Sequence, residues 1–477
     1  MGLKEKAVNS ILWSTVERFS VMGINFILSL IIARLVLPSD FGAIAMLSIF
    51  LGISNVFIDS GFANALIRKK ERTDVDNSTV FYFNIIVGLG IYILLFFASP
   101  SIASFYNMPI LTNVLRLISL VILFNSLSIV QQAILTANLN FKSQAKISLF
   151  AVLFSGVIGI ILAYWGYGIW ALAMQMVISS FIRMILLWFY VGWHPIKAFS
   201  KESFYSLFGY GSKLLAANLV VTINSSVCSL ILGKKFSATQ LGYYNRGEQF
   251  VNFPLNSITA IFQKVTFPVY SLRKDNIPML REYYLKTIRI TCMLVAPIMA
   301  LLFVLAPDII MLFLTEKWLP SVELMKILIF TFAWSPIFSI NINILSVLGY
   351  SRFVLNIELI KIVLRIAAIL FAVPMGLKAV CYILAIITFF NTFFYTYYTN
   401  RVIRVNWLQQ MSHMIFYILV SVVIAICVYL SIDLIESNLY RIINGFILYS
   451  VCYLLVLRYF DKDNWIFMVS LVTKNKK

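Results

Sequence analysis

Charged side chains occur inside long apolar segments of this sequence. A charge at the centre of a membrane helix costs about 2.5–3.5 kcal/mol on insertion scales, so such residues usually face protein or water and mark a pathway. The candidates among the charged residues of these segments are Glu17, Arg18, Asp59, Arg116, Arg183, Lys213, Glu248, Lys264, Arg289, Lys326, Glu358, Lys361 and Arg365. Cations outnumber carboxylates among them, which predicts recognition of an anion without a chemical reaction.

Some of these cations are candidates for contacting the anion. The candidates are Arg18, Lys213, Lys264, Arg289, Lys361 and Arg365. Arginine makes bidentate contacts with phosphate oxygens and lysine supplies a mobile point charge, so the two residue types together suit an anion such as a phosphate group. For Lys264 and Arg289, near segment ends, the alternative is that the long side chain reaches the lipid headgroups instead.

The carboxylates Glu17, Asp59 and Glu248 are candidates for coupling transport to Na⁺ or H⁺. Each also has a structural alternative. Glu17 and its neighbour Arg18 would then lie at the cytoplasmic interface, and Asp59 would pair with Asn55 or with a neighbouring helix end.

Three charges share one face of a predicted helix. Glu358, Lys361 and Arg365 follow i, i+3, i+7 spacing, which places them on the same side. Glu358 can therefore pair with Lys361, and Arg365 is then left for a ligand. The alternative is a role at the membrane surface, because the trio lies near the predicted cytoplasmic end of its helix.

Metal and nucleophile chemistry have little support in the sequence. The five cysteines are scattered singly, without CxxC or Cys/His spacing, so we expect them to be apolar packing residues. The two histidines, His194 and His413, are far apart. The sequence therefore predicts no metal site, no catalytic residue and no cofactor. A membrane polymerase or ligase would need a large outside loop with catalytic side chains, and no predicted outside loop is long enough.

The composition indicates which elements must position the charges. Of 477 residues, 61% are hydrophobic and 12% are charged, against about 45–50% and about 25% in soluble proteins. A water-soluble globule is therefore excluded. About 20 apolar residues cross the hydrocarbon core of a bilayer. We predict fourteen membrane segments, at 9–35, 42–66, 79–98, 112–136, 147–165, 168–191, 208–233, 248–270, 287–313, 322–348, 353–373, 377–399, 411–432 and 440–457.

The distribution of the net charge of +19 predicts the orientation. With a cytoplasmic N-terminus, the inside loops carry clusters of Lys and Arg, as at 68–72 and 273–281. The outside segments 36–41, 99–111 and 165–167 carry none. This asymmetry follows the positive-inside rule and places both termini in the cytoplasm. It also accounts for much of the positive charge without nucleic acid as a partner.

The sequence also contains an internal repeat. An offset of 200 residues aligns 29–34 with 229–234 and 41–42 with 241–242. The alternative explanation is that apolar helices resemble one another in general. That similarity does not explain why Arg34 is followed by Gly42, and Lys234 by Gly242, at the same spacing. The repeat unit comprises six segments. Since six is even, both copies begin on the same side and would be related by an axis along the membrane normal.

We therefore expect an all-α integral membrane fold with two six-helix lobes in parallel pseudo-repeat around a central cavity. The predicted N-terminal lobe is 1–200 and the C-terminal lobe is 201–405, followed by two appended helices and a tail at 406–477. Substrates would pass as the lobes rock around the cavity, with bends at Pro297, Pro307 and Pro336.

Several short motifs follow one another in a specific order. They are RLVLPSDFG at 34–42, DSGF at 59–62, ALIRKK at 65–70, STVFYFN at 78–84, GIWAL at 168–172, LGYYN at 241–245, FP at 267–268 and EKW at 316–318. Together they resemble the motifs of Wzx-type polysaccharide exporters, in particular the colanic-acid and teichuronic-acid exporter branch. That branch belongs to the multidrug/oligosaccharidyl-lipid/polysaccharide flippase superfamily.

The resemblance implies a bacterial inner-membrane flippase. Its substrate would be an undecaprenyl-diphosphate-linked oligosaccharide. The protein would move it from the cytoplasmic to the periplasmic leaflet by alternating access, while the polyprenyl tail stays in the membrane lipid. A polysaccharide polymerase and a chain-length regulator would be its partners. The alternative within the superfamily is a cation-coupled multidrug exporter. Its mostly cationic substrates would favour a carboxylate-rich cavity, and the cation-rich segments here argue against it.

Overall fold

The computed structural model describes residues 3–59, 61–69 and 72–462. In these residues the secondary structure is helical, with two short 3-10 helices at Glu316–Trp318 and Val373–Met375. The α-helices are α1 (Leu3–Leu35), α2 (Pro38–Asp59), α3 (Phe62–Arg68), α4 (Asp74–Phe105), α5 (Ile110–Ile118), α6 (Leu120–Ala137), α7 (Phe141–Tyr164), α8 (Ile169–Val191), α9 (Lys201–Lys235), α10 (Ala238–Ser271), α11 (Ile277–Phe313), α12 (Pro320–Phe332), α13 (Ser335–Val347), α14 (Ser351–Ala372), α15 (Leu377–Ile403), α16 (Trp407–Ile432) and α17 (Asn438–Phe460). The all-α prediction is confirmed.

Each of the fourteen predicted membrane segments falls on a helix or on two consecutive helices. Twelve helical segments of the described chain are long and apolar enough to cross a membrane. The two others are α10, with 34 residues, and α14, with 22 residues. Their length suffices, but both carry charges in their interior, among them Glu248 on α10 and Glu358, Lys361 and Arg365 on α14. These two helices thus carry several of the predicted site residues.

Local sequence determines where helices begin. At α4, Thr73 Oγ1 accepts a hydrogen bond from the Asp76 N–H at 3.2 Å, and the Asp76 carboxylate accepts one from the Thr73 N–H at 3.0 Å. This reciprocal capping box satisfies two donors that would otherwise lack partners at the helix start. Asn406 and Gln409 form the same arrangement at α16. In both cases a motif of four residues therefore fixes where the helix begins.

Three of the predicted membrane segments consist of two consecutive helices. They combine α2 with α3, α5 with α6, and α12 with α13, the last two helices being separated by Ala333 and Trp334. Pro336 lies in the first turn of α13, where a missing N–H is tolerated. The interruption agrees with the bend predicted at this proline. Pro297 and Pro307 lie inside α11, which continues through both.

Contacts divide the chain into two compact units, Met1–Gly242 and Tyr243–Lys477. In the first unit, α7 packs along α1 and α8, and α9 packs along α2. In the second unit, α11 packs against α16 and α17, and α14 packs against α15. By its contacts α9 groups with the first unit. The lobe boundaries at 200 and 405 describe the repeat in the sequence and stay a prediction.

Within the first unit, the repeat brings equivalent residues together. A Cβ atom on Gly42 would lie 1.7 Å from the carbonyl oxygen of Ala238, and one on Gly242 would lie 2.0 Å from that of Pro38. Each pair of equivalent residues, Pro38 with Ala238 and Gly42 with Gly242, is separated by 200 positions. The two contacts are therefore copies of each other. Glycine permits such a close approach because it has no Cβ.

Candidate functional site

One arginine of the first unit lies within electrostatic reach of two carboxylates on two other helices. Glu17 is on α1, Asp59 is the last residue of α2, and Arg183 is on α8. Arg183 is half-buried and interacts electrostatically with both carboxylates. Among the described residues no salt bridge in direct contact joins the three. We refer to Glu17, Asp59 and Arg183 as the N-terminal charge cluster.

The surroundings of the N-terminal charge cluster leave its carboxylates accessible. The hydroxyl of Ser148 on α7 donates a hydrogen bond to Glu17 Oε1 at 3.0 Å, and Glu17 is half-buried. One turn before Asp59, Asn55 Oδ1 accepts a hydrogen bond from Asn125 at 3.0 Å. Asn55 is thus engaged with α6, and the side chain of Asp59 is exposed. Neither carboxylate is therefore fully enclosed by the described protein residues.

The second unit contains a compact charged group between α14 and α15. Lys361 Nζ donates to Glu358 Oε1 and to Tyr395 Oη, both at 2.8 Å. The Tyr395 hydroxyl in turn donates to Glu358 Oε1 at 2.6 Å. Lys361 is buried, with 9% of its surface exposed. The predicted pairing of Glu358 with Lys361 is observed, and it closes a triangle with Tyr395.

A second pair of charges lies beside this triangle. Glu248 on α10 and Arg365 on α14 interact electrostatically, and both are half-buried. Asn252, one turn after Glu248, donates to its Oε1 at 3.5 Å. Arg365 also interacts with Glu358 and Lys361. We refer to Glu248, Glu358, Lys361, Arg365 and Tyr395 as the C-terminal charge cluster.

The chemistry available to Lys361 is restricted by its partners. Two of the three ammonium donors are used by Glu358 and Tyr395. The ammonium also lies 5.1 Å from the ring centre of Tyr395 and 5.8 Å from that of Phe338, distances typical of cation–π contact. Lys361 is therefore held by the protein itself. Arg365 presents the other positive charge on the same helix face.

The remaining predicted site residues are dispersed. Arg18 is exposed on α1, next to Glu17. Arg289 is half-buried on α11. The side chains of Lys213 and Lys264 lie outside the described part of the structure. The structure thus places Glu17 and Asp59 within electrostatic reach of the same residue, Arg183, and places Glu248 and Lys361 within reach of Arg365.

Other charged residues serve packing. On α5, Arg116 Nε donates to Ser99 Oγ at 3.0 Å, and its guanidinium lies 4.3 Å from the ring centre of Phe96. On α10, Arg246 is 2% exposed and lies 5.1 Å from the ring centre of Trp318. These contacts connect neighbouring helices, so both arginines belong to the core of their units.

Sequence reasoning did not select two residues that the structure places in the clusters. Arg183 is central to the N-terminal charge cluster, and the sequence showed it only as one of many charged residues inside apolar segments. Tyr395 bridges Glu358 and Lys361 from α15. Tyrosines are common in apolar helices, so nothing in the sequence marked Tyr395 as a site residue. In the described residues no group of three His, Cys, Asp or Glu side chains is placed to hold a metal ion.

Long apolar helices, twelve of them in the described chain able to cross a membrane, define a multi-pass membrane protein as the class of this protein. Solved structures agree with this fold. The inward closed conformation of the lipid II flippase MurJ matches with a TM-score of 0.78 and 16% identity, over 94% of this chain and 99% of that one. An inward-facing multidrug resistance MATE family transporter of the MOP superfamily matches with a TM-score of 0.58 and 14% identity, over 87% and 95%.

The chain belongs to the polysaccharide biosynthesis protein family, whose model matches residues 31–323. It is 27% identical to the teichuronic acid biosynthesis protein TuaB of Bacillus subtilis, over 58% of this chain and 57% of that protein. It is 23% identical to the lipopolysaccharide biosynthesis protein WzxC of Escherichia coli, over 69% and 67%. It is 22% identical to the succinoglycan biosynthesis transport protein ExoT of Rhizobium meliloti, over 64% and 62%. The match thus spans less than two thirds of TuaB and ExoT. The predicted membership of the Wzx-type group is confirmed.

Proposed function

We propose that this protein is a flippase for an undecaprenyl-diphosphate-linked oligosaccharide. It would carry the lipid from the cytoplasmic to the periplasmic leaflet by alternating access. The observation that carries the proposal is the set of cations inside the helices of a polysaccharide biosynthesis family member, with Arg18 and Arg183 in the first unit and Lys361 and Arg365 in the second. The names of WzxC and ExoT, which refer to polysaccharide biosynthesis and transport, support it.

The substrate class follows from the chemistry of these side chains. A diphosphate requires cations, and guanidinium groups bind its oxygens through paired hydrogen bonds. Arg365 and Arg18 are the arginines best suited to this role. Arg365 shares its helix face with a lysine that is held by other partners, and Arg18 is exposed. The polyprenyl chain would stay in lipid. The protein would therefore bind and move its substrate as a transporter, without breaking a bond.

The direction of transport has an electrostatic advantage. A diphosphate carries about two negative charges. Moving one negative charge outward across an inside-negative membrane is favourable by about 2.3 kcal/mol per 100 mV. The membrane potential would then drive export in part.

Coupling to Na⁺ or H⁺ would add to this driving force. Glu17 and Asp59 are candidates because two carboxylates lie near a single guanidinium, Arg183. A protonation or a bound Na⁺ would relieve the excess negative charge. Glu248 is the candidate in the second unit, where Arg365 is its electrostatic partner.

A cation-coupled multidrug exporter is the second candidate function. The likeness to MATE transporters concerns the fold. The accessible carboxylate Asp59 is the observation that favours this function, since cationic drugs require carboxylates. The arginines and Lys361 favour an anionic substrate, and we give that function precedence.

The cellular setting completes the proposal. The protein would lie in a bacterial inner membrane with both termini in the cytoplasm, as its charge distribution predicts. A polysaccharide polymerase and a chain-length regulator would act on the exported lipid. Accessibility of cysteines introduced near each terminus, probed with an impermeant thiol reagent in whole cells, would test the orientation.

Transport by the purified protein tests the central claim. Liposomes with a fluorescent undecaprenyl-diphosphate oligosaccharide would be assayed for protein-dependent movement between leaflets, using a membrane-impermeant quencher. We expect movement with wild-type protein and background rates with Arg18→Ala. Arg352→Ala removes an exposed arginine at the start of α14 and serves as the matched control. The proposal fails if the wild-type protein moves no lipid in liposomes that support a known flippase.

The same liposomes separate the two candidate functions. A cationic dye such as ethidium is offered in place of the lipid, with a Na⁺ or H⁺ gradient. The flippase proposal predicts dye flux no greater than that of protein-free liposomes. Gradient-driven dye efflux without lipid movement would instead establish a multidrug exporter.

A further inference from the structure

An elongated groove lies in the second unit, apart from the C-terminal charge cluster. It is bounded by α11, α12, α13 and α16 and encloses about 460 Å³. Its walls include Met299 and Phe303 on α11, Phe330 on α12, and Ala425 and Tyr429 on α16. None of the five residues of the C-terminal charge cluster is among those that line it. We refer to this space as the Lys326 groove, after the one lysine in its wall.

The dimensions of the groove suit a single hydrocarbon chain. Along α11 its wall extends from Thr291 to Val304, which at about 1.5 Å per residue is roughly 20 Å. A methylene group is similar in size to a water molecule, whose share of liquid volume is about 30 Å³, so the groove holds roughly fifteen such groups. This is the size of one fatty acyl chain. It is too small for the much longer undecaprenyl chain.

A cation lies in the part of the groove near the start of α12. Lys326 is half-buried, and its ammonium is 5.2 Å from the ring centre of Phe303. Asp308 interacts with it electrostatically but forms its own salt bridge with Arg441 at 3.7 Å. Within the described chain Lys326 takes part in no salt bridge. Its positive charge is therefore not matched by a carboxylate in contact.

The direction of the side chain fixes which end of the groove is polar. Side chains on a helix tilt toward its N-terminus, which for α12 is Pro320. That end is predicted to be periplasmic. The ammonium thus points toward the headgroup region of the predicted outer leaflet, and the apolar part of the groove extends from it toward the bilayer centre.

We propose that the Lys326 groove binds an anionic phospholipid, with one acyl chain inside the groove and the headgroup phosphate beside Lys326. Charge complementarity selects this occupant. A zwitterionic phospholipid brings its own ammonium, which competes with Lys326 for the phosphate. A phosphatidylglycerol headgroup brings none. One lysine near a membrane surface then raises the affinity for the anionic lipid about fivefold over that for the zwitterionic lipid.

Native mass spectrometry of the full-length protein in mild detergent tests the proposal. Phosphatidylglycerol and phosphatidylethanolamine are added in equal amounts, and the bound lipid is counted and identified. We expect one phosphatidylglycerol per wild-type protein and a preference over phosphatidylethanolamine of about fivefold. Lys326→Gln is expected to remove the preference. Lys286→Gln, an exposed lysine on α11 outside the groove, is expected to keep it.

A second variant tests the apolar part. Ala300→Phe places a ring inside the groove and is expected to abolish the bound lipid. Ala367→Phe places the same ring on an exposed position of α14 and is expected to leave the lipid in place. Equal lipid preference in wild type and Lys326→Gln would overturn the proposal. So would a bound lipid that survives Ala300→Phe, or a polyprenyl lipid in place of the phospholipid.

Discussion

The two charge clusters use similar residues in different ways. In the N-terminal charge cluster, Arg183 interacts with Glu17 and Asp59 without a salt bridge in direct contact among the described residues. In the C-terminal charge cluster, Glu358 and Lys361 are in contact at 2.8 Å and share a tyrosine hydroxyl. One cluster keeps hydrogen-bonding capacity for a ligand, and the other has used much of it.

This difference separates structural charges from functional ones. A buried ion pair in direct contact compensates its own desolvation, and the loss of one partner is costly. Charges that interact at longer range leave room for an ion, a proton or a phosphate. We therefore expect variants of the C-terminal triangle to act mainly on stability. Variants of the N-terminal charge cluster should act mainly on transport.

The largest effect is expected at Arg183. Arg183→Ala leaves Glu17 and Asp59 without their shared cation, and in a membrane helix these charges are then uncompensated. We expect export of the lipid-linked oligosaccharide to be abolished, measured as surface polysaccharide and as liposome transport. Arg183→Lys, which keeps the charge, is the matched control and should retain part of the activity.

Protein abundance decides whether the loss reflects folding. The double variant Arg183→Gln with Glu17→Gln removes one charge of each sign and should restore the amount of membrane-inserted protein. It should not restore transport. Wild-type transport by Arg183→Ala would contradict a transport role for the N-terminal charge cluster.

The next effect is expected at Lys361, on stability. Lys361→Met leaves Glu358 with the Tyr395 hydroxyl as its remaining partner in the triangle, and we expect a loss of about 3 kcal/mol in the free energy of unfolding. Thermal unfolding in detergent measures the change. Lys361→Met combined with Glu358→Gln should recover most of it, because the uncompensated charge is gone. A destabilisation of the double variant equal to the sum of the Lys361→Met and Glu358→Gln effects would show that the pair is not coupled.

The fold was largely predictable from the sequence because hydropathy and length act locally. All fourteen predicted segments fall on helices. Several helices begin well before the predicted membrane segment, among them α9 at Lys201 instead of 208, α10 at Ala238 instead of 248 and α11 at Ile277 instead of 287. Their first turns contain polar or charged residues, and a hydropathy pattern detects only the apolar remainder.

The site was predictable only where residues share a helix. Glu358 and Lys361 are three residues apart, so helix periodicity places them together. Tyr395 joins them from α15, 34 residues beyond Lys361, and Arg183 meets Glu17 and Asp59 across three helices. Such contacts depend on how helices pack, and one sequence contains no direct record of that packing.

A moderate effect on transport is expected at Asp59. Asp59→Asn keeps the shape of an exposed side chain but removes one carboxylate charge near Arg183. If Asp59 couples transport to an ion, gradient-driven transport should fall about tenfold, while transport without a gradient changes little. Liposome assays with and without a Na⁺ or H⁺ gradient measure both. Unchanged dependence on either gradient would exclude Asp59 as the coupling residue.

The smallest effect is expected at Tyr395. Its hydroxyl donates to Glu358 at 2.6 Å and accepts from Lys361 at 2.8 Å, and Tyr395→Phe removes both bonds but keeps the ion pair. We expect a loss of about 1.5 kcal/mol in unfolding free energy, the lower value for a hydrogen bond to a charged group. Tyr397→Phe, at an exposed position two residues on, is the matched control and should unfold like the wild type. A loss for Tyr395→Phe as large as that for Lys361→Met would mean that the hydroxyl, and not the ion pair, holds the triangle together.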